Sequence, residues 1–423
     1  MRSQRLTVLI LGGMVLGIAV GYVLHLTLPD AQTAKNVAGY ISLITDIFLR
    51  LIKMIIAPLV FTTLVAGIAH MGDSATVGRI GLKAMGWFVA ASLVSLLLGL
   101  ILVNLLRPGD NLNLPLPDPE AATNLKTASL SLKEFVTHLV PRSIVEAMAN
   151  NEILQIVVFS VFFGIAAAAV PKSEVIVALI EEASHITLKI TDYVMRFAPV
   201  AVFAAIAATI TTQGLGILAT YGKFMLEFYF GILVLWVVLG VVGFLFLGNL
   251  VFKLIQLIKE PILLAFSTAS SEAAYPRTME ALEELPVSEK ITGFVLPMGY
   301  SFNLDGSMMY CTFATVFIAQ AYNIPLSLGQ QLTMLLILMV TSKGMAGVPR
   351  ASLVVIAATL ATFNIPEAGL LLIMGIDQFL DMARSATNVV GNSLATAVVG
   401  KWEGELRPTP GVPAGDFQPQ PAE

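Results

Sequence analysis

The sequence predicts an all-α, polytopic membrane protein, with most of the chain dissolved in lipid. Of the 423 residues, 57% are hydrophobic and 12% are charged, whereas a soluble protein averages about 25% charged residues. The mean hydropathy is +0.84, which leaves more apolar surface than a soluble core can hide. Windows of roughly 20 apolar residues, the length that crosses a bilayer as a helix, recur along the chain.

Six apolar windows are predicted as regular spans. The first follows Arg2 and Arg5 and is too long for a signal-peptide core, so we expect a retained membrane helix. Basic residues also lie between the second and third windows and after the sixth, which favours the cytoplasmic side for these ends. The windows are 7–29, 54–72, 84–106, 154–171, 197–222 and 228–252.

Two polar segments interrupt or end the apolar pattern. Residues 108–140 are rich in Pro, Asn and Asp and are predicted to form an extracytoplasmic loop, with a peripheral helix beginning near Ser131. Residues 404–423 hold several prolines and few large apolar side chains, which is typical of a flexible tail. Both termini are therefore expected in the cytoplasm.

The charge and cysteine content exclude several classes of protein. The net charge of −4 is spread over short segments and offers no basic face, so we expect no nucleic-acid partner. A single cysteine, Cys311, excludes an internal disulfide and a cysteine-based metal cluster. The sequence contains no nucleophile–base pair or metal-ligand cluster that would predict an enzyme.

Runs of small hydroxyl and glycine residues divide the apolar segments of the last third of the chain. One alternative is that these runs are ordinary loops in water. Each run, however, divides an apolar segment into halves too short to cross the bilayer, and broken helices at membrane depth must line a cavity or pack inside protein. Two re-entrant hairpins, near 254–284 and 326–362, fit better and point to a binding site. The runs are 267–272, 303–307 and 341–350.

The last predicted span, 368–401, carries charges on one face. A charged side chain at the centre of a membrane helix costs about 2.5–3.5 kcal/mol, so this face must meet protein or water. Asp381 and Arg384 can simply neutralise each other at i, i+3. Arg384 can instead bind a carboxylate through its planar fork, and Asp381 can hold an ammonium, which together suit an acidic amino acid. The residues on this face are Asp377, Asp381, Arg384, Asn388 and Asn392.

Four short motifs, in this order along the chain, carry a resemblance to a known family. The motifs are Ser270-Ser271, Asn303-x-Asp305-Gly306, Gly347-Val348-Pro349 and Asp381-Met382-Ala383-Arg384-Ser385-x-x-Asn388. With these motifs the chain resembles the dicarboxylate/amino acid:cation symporters, the glutamate transporter family, and is most similar there to the bacterial proton–glutamate symporters. The similarity covers almost the whole chain.

The resemblance implies eight transmembrane helices plus two re-entrant hairpins, assembled as a homotrimer of independent protomers. It also implies a static scaffold and a transport domain that moves as a rigid body in an elevator-type cycle. The implied scaffold is 1–78 and, with the extracytoplasmic loop, 108–213. The implied transport domain is 79–107 and 214–403, followed by the cytoplasmic tail 404–423.

The resemblance also implies roles for particular residues. Arg384 would bind the side-chain carboxylate of the substrate, and Asp381 would bind its amine. The loop at the tip of the second hairpin would close over the pocket as a gate. The other implied substrate-binding residues are Ser270, Ser271, Ser307, Gly347, Val348, Pro349, Ser385 and Asn388.

Departures from the family bear on the coupling ion. Sodium-coupled relatives carry a Tyr and a Thr where this chain has Phe88 and Ala91, and an Asp where it has Asn392. A hard cation needs oxygen ligands and usually a carboxylate, so we expect the sodium sites to be at least partly dismantled and protons to be the coupling ions, with no other cofactor. The residual cation site would be Ser92, Asn303, Asp305, Asn388 and Asn392.

Glu272 is the main candidate for the proton-coupling group. It stands at the first hairpin tip, where sodium-coupled relatives have a third serine. The hypothesis is that Glu272 pairs with Arg384 in the empty carrier and takes up a proton when substrate displaces it. Asp381 and Asp305 are competing proton sites, and the alternative for Glu272 is a solvated loop acid.

The sequence therefore predicts a secondary transporter in the inner membrane of a bacterium, surrounded by lipid, that imports glutamate or aspartate by proton symport. The alternatives are a C4-dicarboxylate symporter, which shares the fold and most motifs, and a sodium-coupled acidic amino acid transporter. Asp381 favours the amino acid, because a dicarboxylate lacks the amine that this residue would bind. An anion channel and a membrane-embedded enzyme are less well supported.

Overall fold

The computed structural model describes residues 2–69, 74–110, 140–170, 172–215, 221–285, 287–342, 351–374 and 376–406. Within these ranges the regular secondary structure is helical, and Val287 and Leu406 form an isolated antiparallel bridge. The all-α prediction is confirmed for this part of the chain. Most of the predicted extracytoplasmic loop, the tip of the second predicted hairpin and most of the predicted tail lie outside the described residues.

The described helices are numbered in chain order. The first eight are α1 (Arg2–Thr27), α2 (Ala31–Ala69), α3 (Ser74–Leu106), α4 (Ile144–Ala149), α5 (Ile153–Ala169), α6 (Glu174–Met195), α7 (Ala198–Gln213) and α8 (Gly222–Leu247). The others are α9 (Leu250–Leu257), α10 (Lys259–Thr268), α11 (Ser271–Glu284), α12 (Glu289–Phe302), α13 (Asp305–Ala321), α14 (Leu328–Thr341), α15 (Ala351–Thr362), α16 (Leu370–Met374) and α17 (Asp377–Trp402).

Several described helices have the length and composition of membrane spans. Four helices, α1, α2, α3 and α8, contain a segment that is long and apolar enough to cross a membrane. The helices α6 and α7, which are bent by 50° relative to each other, would together form a fifth span. The chain is thus a polytopic membrane protein. The segments predicted as hairpins each hold two helices in contact, α10 with α11 and α14 with α15. That these pairs re-enter the membrane, and that the spans number eight, are still predictions.

Three predictions about the spans are wrong: the start of one, the absence of another and the continuity of the last. The second span was predicted at 54–72, but α2 begins at Ala31, because its first half is amphipathic rather than uniformly apolar. The apolar windows also miss α6, which Glu181, Glu182 and Lys189 interrupt. The continuous span at 368–401 is divided into a 3₁₀ turn, α16 and α17, and the last of these begins only at Asp377.

The helices form two groups of mutual contacts. In one, α2 packs on α5, α6 and α7, and α1 packs on α7. In the other, α17 is the central helix and contacts α3, α8 and α10 to α13. The groups meet where α2 contacts α11 and α12, and where α10 contacts α1 and α7. The predicted domain ranges and their relative motion remain predictions.

Glycines on α1 allow a close approach to α7. A Cβ added at Gly17 would lie 2.8 Å from the carbonyl oxygen of Phe203, and one at Gly21 would lie 2.7 Å from that of Ala207. Small residues at four-residue spacing let membrane helices pack through their backbones, where van der Waals contact rather than the hydrophobic effect drives association. The seam between α1 and α7 therefore depends on the absence of side chains at these positions.

We expect Gly17→Ala to destabilise the protein and Gly12→Ala to leave it unchanged or more stable. Nothing lies within 4 Å of a Cβ at Gly12, whereas one at Gly17 meets backbone. Overpacking costs about 1–3 kcal/mol, while Gly→Ala in an unobstructed helix gains up to about 1 kcal/mol. The midpoint of thermal unfolding in detergent measures both, and equal midpoints for the two variants would contradict the packing argument.

An ion cluster fastens α3 to the end of α17. The Glu403 carboxylate lies 2.9 Å from Arg79 Nη2 and 2.7 Å from Lys83 Nζ, and its side chain is 4% exposed. Burial alone would raise the pKa of Glu403, but hydrogen bonds from Arg79 and Lys83 outweigh it and hold the pKa below its ordinary value. The carboxylate is therefore charged at neutral pH, and the cluster weakens only as the pH falls through that lowered pKa.

Candidate substrate and cation site

The break predicted at residues 303–307 is present between α12 and α13. Asn303 (φ −122°, ψ 64°) and Leu304 (φ −100°, ψ 65°) leave the helical conformation. The first backbone N–H groups of a helix have no partner within it. Here Asn388 Oδ1 accepts hydrogen bonds from the N–H groups of Gly306 at 2.9 Å and Ser307 at 3.2 Å. A side chain of α17 therefore caps the start of α13.

Glycines let α17 pack directly against this break. A Cβ at Gly306 would overlap the carbonyl oxygen of Arg384, and a Cβ at Gly391 would overlap the carboxylate of Asp305. Only a residue without a side chain fits at these contacts. The backbone of one segment and the functional side chains of the other are thereby brought within hydrogen-bonding distance.

Arg384 is the centre of the candidate substrate site. Its side chain is fully buried, and its Nε lies 2.7 Å from Asp381 Oδ1 on the preceding turn. Its Nη1 donates to Ser307 Oγ at 3.2 Å, and its Nη2 donates to Ser385 Oγ at 3.1 Å. Asn388 Nδ2 also donates to Ser307 Oγ, at 3.1 Å. The structure thus brings together five of the predicted substrate-binding residues.

This arrangement is suited to a ligand with a carboxylate. A buried charge is tolerated only when it is paired and hydrogen-bonded, and the ion pair with Asp381 occupies the Nε edge of the guanidinium. The two terminal nitrogens donate to the hydroxyls of Ser307 and Ser385. A carboxylate can accept both of their N–H groups in the bidentate geometry that arginine favours. Asp381 then remains beside the ligand as a partner for a positive group.

The tip of the first hairpin lies against the same helix. Ala269 adopts the left-handed conformation (φ 51°, ψ 31°), and Ser270 caps α11 by accepting a hydrogen bond from the N–H of Ala273 at 3.3 Å. Ala269 packs in a buried cluster with Met382, next to Asp381. Ser271 Oγ is buried without a hydrogen-bond partner among the described residues. It is therefore available to a ligand at this tip.

Glu272 occupies the first turn of α11 and is half-buried. A negative charge is favourable at this end of a helix, because the helix dipole is positive there. It lies close enough to Tyr300 to interact with it electrostatically. Arg384 forms an ion pair with Asp381. Pairing of Glu272 with Arg384 in the empty carrier is still a hypothesis.

The predicted residual cation residues gather around the Asp305 carboxylate. Asn303 Nδ2 donates to Asp305 Oδ2 and to Asn392 Oδ1, both at 3.3 Å. Ser92 Oγ donates to the carbonyl oxygen of Phe302 at 3.5 Å. These side chains are buried, on α3, on α13, on α17 and at the break that follows α12. Asn388, the fifth predicted residue, instead caps α13.

The donors fit a metal cation only in part. Asn303 Oδ1 is buried and has no hydrogen-bond partner among the described residues, so it offers one free oxygen ligand. Asn392 Nδ2 is equally without a partner but is a donor, which repels a cation. No group of three His, Cys, Asp or Glu residues in the described part of the chain is placed to hold a metal ion. Hard cations favour several oxygen ligands and carboxylates, so this set is weaker than a dedicated sodium site.

Sequence reasoning missed several residues that hold the site together. Ser95 Oγ donates to Asp305 Oδ1 at 3.1 Å, and Tyr310 Oη donates to Asp377 Oδ1 at 2.6 Å. Trp236 Nε1 donates to Thr387 Oγ1 at 2.8 Å. The position of Ser95, one turn after Ser92 on the same helix, was a usable signal.

The predicted gate residues Gly347, Val348 and Pro349 lie outside the described residues. The helices on either side of them, α14 and α15, both contact α13. Ser342, the last described residue before the gap, is buried and its Oγ lies 3.3 Å from Met308 Sδ. The end of α14 that leads into the predicted gate thus packs against Met308, the residue after Ser307.

An apolar helical protein with a buried, charged site at a broken helix belongs to the class of membrane transport proteins. A family profile described as the Sodium:dicarboxylate symporter family matches residues 6–402. The chain belongs to this family, whose members are transporters and not enzymes.

Similar proteins divide into two groups by name. The chain is 44% identical over 414 residues to a C4-dicarboxylate transport protein of Citrifermentans bemidjiense, covering 96% of this chain and 92% of that one. It is 43% identical over 404 residues to the proton/glutamate-aspartate symporter of Escherichia coli, covering 93% and 92%. A proton/sodium-glutamate symport protein of Bacillus caldotenax is 41% identical over 400 residues, covering 93% of each chain. The resemblance predicted from the motifs is confirmed.

Proposed function

We propose that this protein imports acidic amino acids, glutamate or aspartate, across the inner membrane of a bacterium by proton symport. The buried ion pair between Asp381 and Arg384, with its 2.7 Å separation, carries the proposal. It places one fixed anion and one fixed cation in the same site, which matches a ligand that bears both an amine and a second carboxylate. The relative named as a proton/glutamate-aspartate symporter supports this choice.

A C4-dicarboxylate substrate is the second candidate, and one observation favours it. Relatives named C4-dicarboxylate transport proteins match this chain at 44% identity over 96% of its length. A dicarboxylate would use Arg384 in the same way but would leave Asp381 without an amine to bind. The two candidate substrates therefore differ in whether the Asp381 carboxylate binds an amine.

Protons are the coupling ions in this proposal, with Glu272 as the carrier and Asp381 and Asp305 as competing sites. The incomplete oxygen set around Asp305 supports proton coupling over sodium coupling. A relative named as a proton/sodium-glutamate symport protein keeps sodium as an alternative. The position of Glu272, two residues after the buried tip residue Ser270, supports its role.

The proposal includes an elevator-type movement within a homotrimer, with both termini in the cytoplasm. The two groups of helices, joined across a limited seam, are consistent with one group sliding past the other. Exposed apolar side chains on α6 and α7, such as Leu179 and Val200, offer surface for lipid or for neighbouring protomers.

Uptake by proteoliposomes tests the proposed function. Labelled glutamate, aspartate and succinate are offered under a proton gradient alone and a sodium gradient alone. We expect the two amino acids to accumulate under the proton gradient. Uptake that is equal with and without either gradient would contradict symport, and uptake of succinate alone would favour the dicarboxylate.

We expect Glu272→Gln to lose the dependence of glutamate accumulation on an imposed pH gradient, because the side chain can no longer take up a proton. Glu284→Gln is the matched control, since Glu284 is exposed at the other end of the same helix. If Glu272→Gln accumulates glutamate with an unchanged pH dependence, Asp381 or Asp305 becomes the proton site.

A further inference from the structure

A cavity of about 450 Å³ lies at the seam between the two groups of helices, away from Arg384. It is bounded by α2 and α6 on one side and by α11, α12 and the residues after α17 on the other. Beside it, a Cβ at Gly293 would lie 2.8 Å from the carbonyl oxygen of Thr63, so α2 and α12 pack closely there. The volume lies in the range of small-molecule sites.

The charged lining of this cavity is mainly acidic. Helix α6 contributes Glu181 and His185, α11 contributes Glu283, and α2 contributes no charged side chain. The lining thus contains four glutamates and one lysine, and that lysine, Lys290, forms an ion pair with Glu405. The charged and titratable lining residues are Glu181, His185, Glu283, Glu289, Lys290 and Glu405.

Glu283 shows the effect of several carboxylates lying close together. It lies one residue before the end of α11, outside the apolar spans. Burial first, and then the neighbouring charges of Glu289 and Glu280, raise the pKa of Glu283 to about 7. Its side chain is open to the cavity, so this pKa reflects enclosure by the walls rather than full burial. A positive ligand would relieve the repulsion between these carboxylates.

Ser288 provides a second, independent indication of a ligand. The residue is 3% exposed and lines the cavity, yet its Oγ has no hydrogen-bond partner among the described residues. It stands at the N-cap position of α12 without capping it, while its N–H donates to the carbonyl oxygen of Glu405 at 3.1 Å. A buried hydroxyl without a partner costs free energy, and an ammonium in the cavity can donate to it.

We propose that this cavity binds a small organic cation of the alkylammonium class. Glu283 and Glu289 bind the ammonium group, Ser288 Oγ accepts one of its hydrogens, and Met279 and Leu188 line the path of the alkyl chain. A metal ion fits less well, because no three His, Cys, Asp or Glu residues of the described part are placed to hold one. The volume also exceeds what a single ion needs.

The position of the site gives the cation a consequence for transport. Glu181 belongs to one group of helices, and Glu283 and Glu289 belong to the other. A bound cation therefore links the two groups. Given the elevator-type movement of the proposed function, such a link slows uptake by opposing movement between the two groups.

Isothermal titration of the purified full-length protein with 1,4-diaminobutane, without substrate, tests the binding site. We expect saturable binding at pH 8 that weakens about tenfold at pH 6, one unit below the pKa of Glu283, because protonation removes the anion. A magnesium salt at matched ionic strength is the control for screening.

The variants separate this site from general charge effects. Glu283→Gln is expected to weaken diamine binding about tenfold and to abolish most of its pH dependence. Glu284→Gln, the same change on the adjacent residue, which does not line the cavity, should bind as the wild type does. If Glu283→Gln does not fold, Glu289→Gln is compared with Glu284→Gln instead. Absence of binding at pH 8, or equal losses in the Glu283 and Glu284 variants, would overturn the proposal, and neither outcome depends on whether the protein transports glutamate.

Discussion

Replacing Arg384 by glutamine is expected to lower the affinity for glutamate and succinate by about 30- to 4,000-fold. This range corresponds to the roughly 2–5 kcal/mol lost when one partner of a buried, hydrogen-bonded charge pair is removed. Both substrates are affected because each presents a carboxylate to the same guanidinium. Substrate binding measured calorimetrically on the purified protein gives the change directly.

The control for this variant must separate binding from folding. Arg384→Gln leaves Asp381 buried without its ion-pair partner, which by itself destabilises a protein. The double variant Asp381→Asn with Arg384→Gln removes both charges, so we expect it to regain thermal stability without regaining binding. Arg196→Gln, on an exposed arginine between α6 and α7, should leave both unchanged. Affinities within threefold of the wild type for Arg384→Gln would contradict the assignment of the site.

Replacing Asp381 by asparagine is expected to change substrate preference rather than abolish binding. Aspartate and succinate differ by one amine, and the charge-assisted hydrogen bonds of that amine are worth about 1.5–3 kcal/mol. We therefore expect aspartate affinity to fall about 10- to 150-fold while succinate affinity is kept or rises, because Arg384 no longer shares its charge with Asp381. Competition of each ligand against labelled glutamate measures the ratio.

The same ratio decides between the two candidate substrates. An unchanged ratio of aspartate to succinate affinity in Asp381→Asn would show that this carboxylate does not bind the amine, and the dicarboxylate would then be the better assignment. Glutarate and glutamate form a second pair that differs by the same amine. A parallel change in both pairs would exclude an effect of ligand length.

Much of the candidate site follows from short-range patterns in the sequence. Asp381, Arg384 and Asn388 repeat at three and four residues, which places them on one face of any helix. The break at Asn303 is visible because polar and glycine residues interrupt an apolar segment there. Both features are local, and the structure contains both.

Other parts of the site depend on contacts that no local pattern reveals. The hydrogen bond from Ser95 to Asp305 joins α3 to α13, and Trp236 reaches Thr387 from the apolar helix α8. The separation of α16 from α17 before Asp377 also escaped prediction, because the length of a predicted span does not show where the helix inside it is broken. Hydropathy indicates whether a segment lies in lipid or in water, but it does not show where the backbone of that segment turns.

Hydropathy and helical periodicity are properties of neighbouring residues, so the sequence alone predicted a polytopic membrane protein and the few charged residues that are buried in it. The family followed from the same short motifs. The atoms that meet across the site are known only from the packing of the helices. The approach of Gly306 to Arg384, the carboxylate environment of Asp305 and the acidic cavity lined by Glu181 and Glu283 each join segments far apart in the chain, and such contacts are set by how the helices pack.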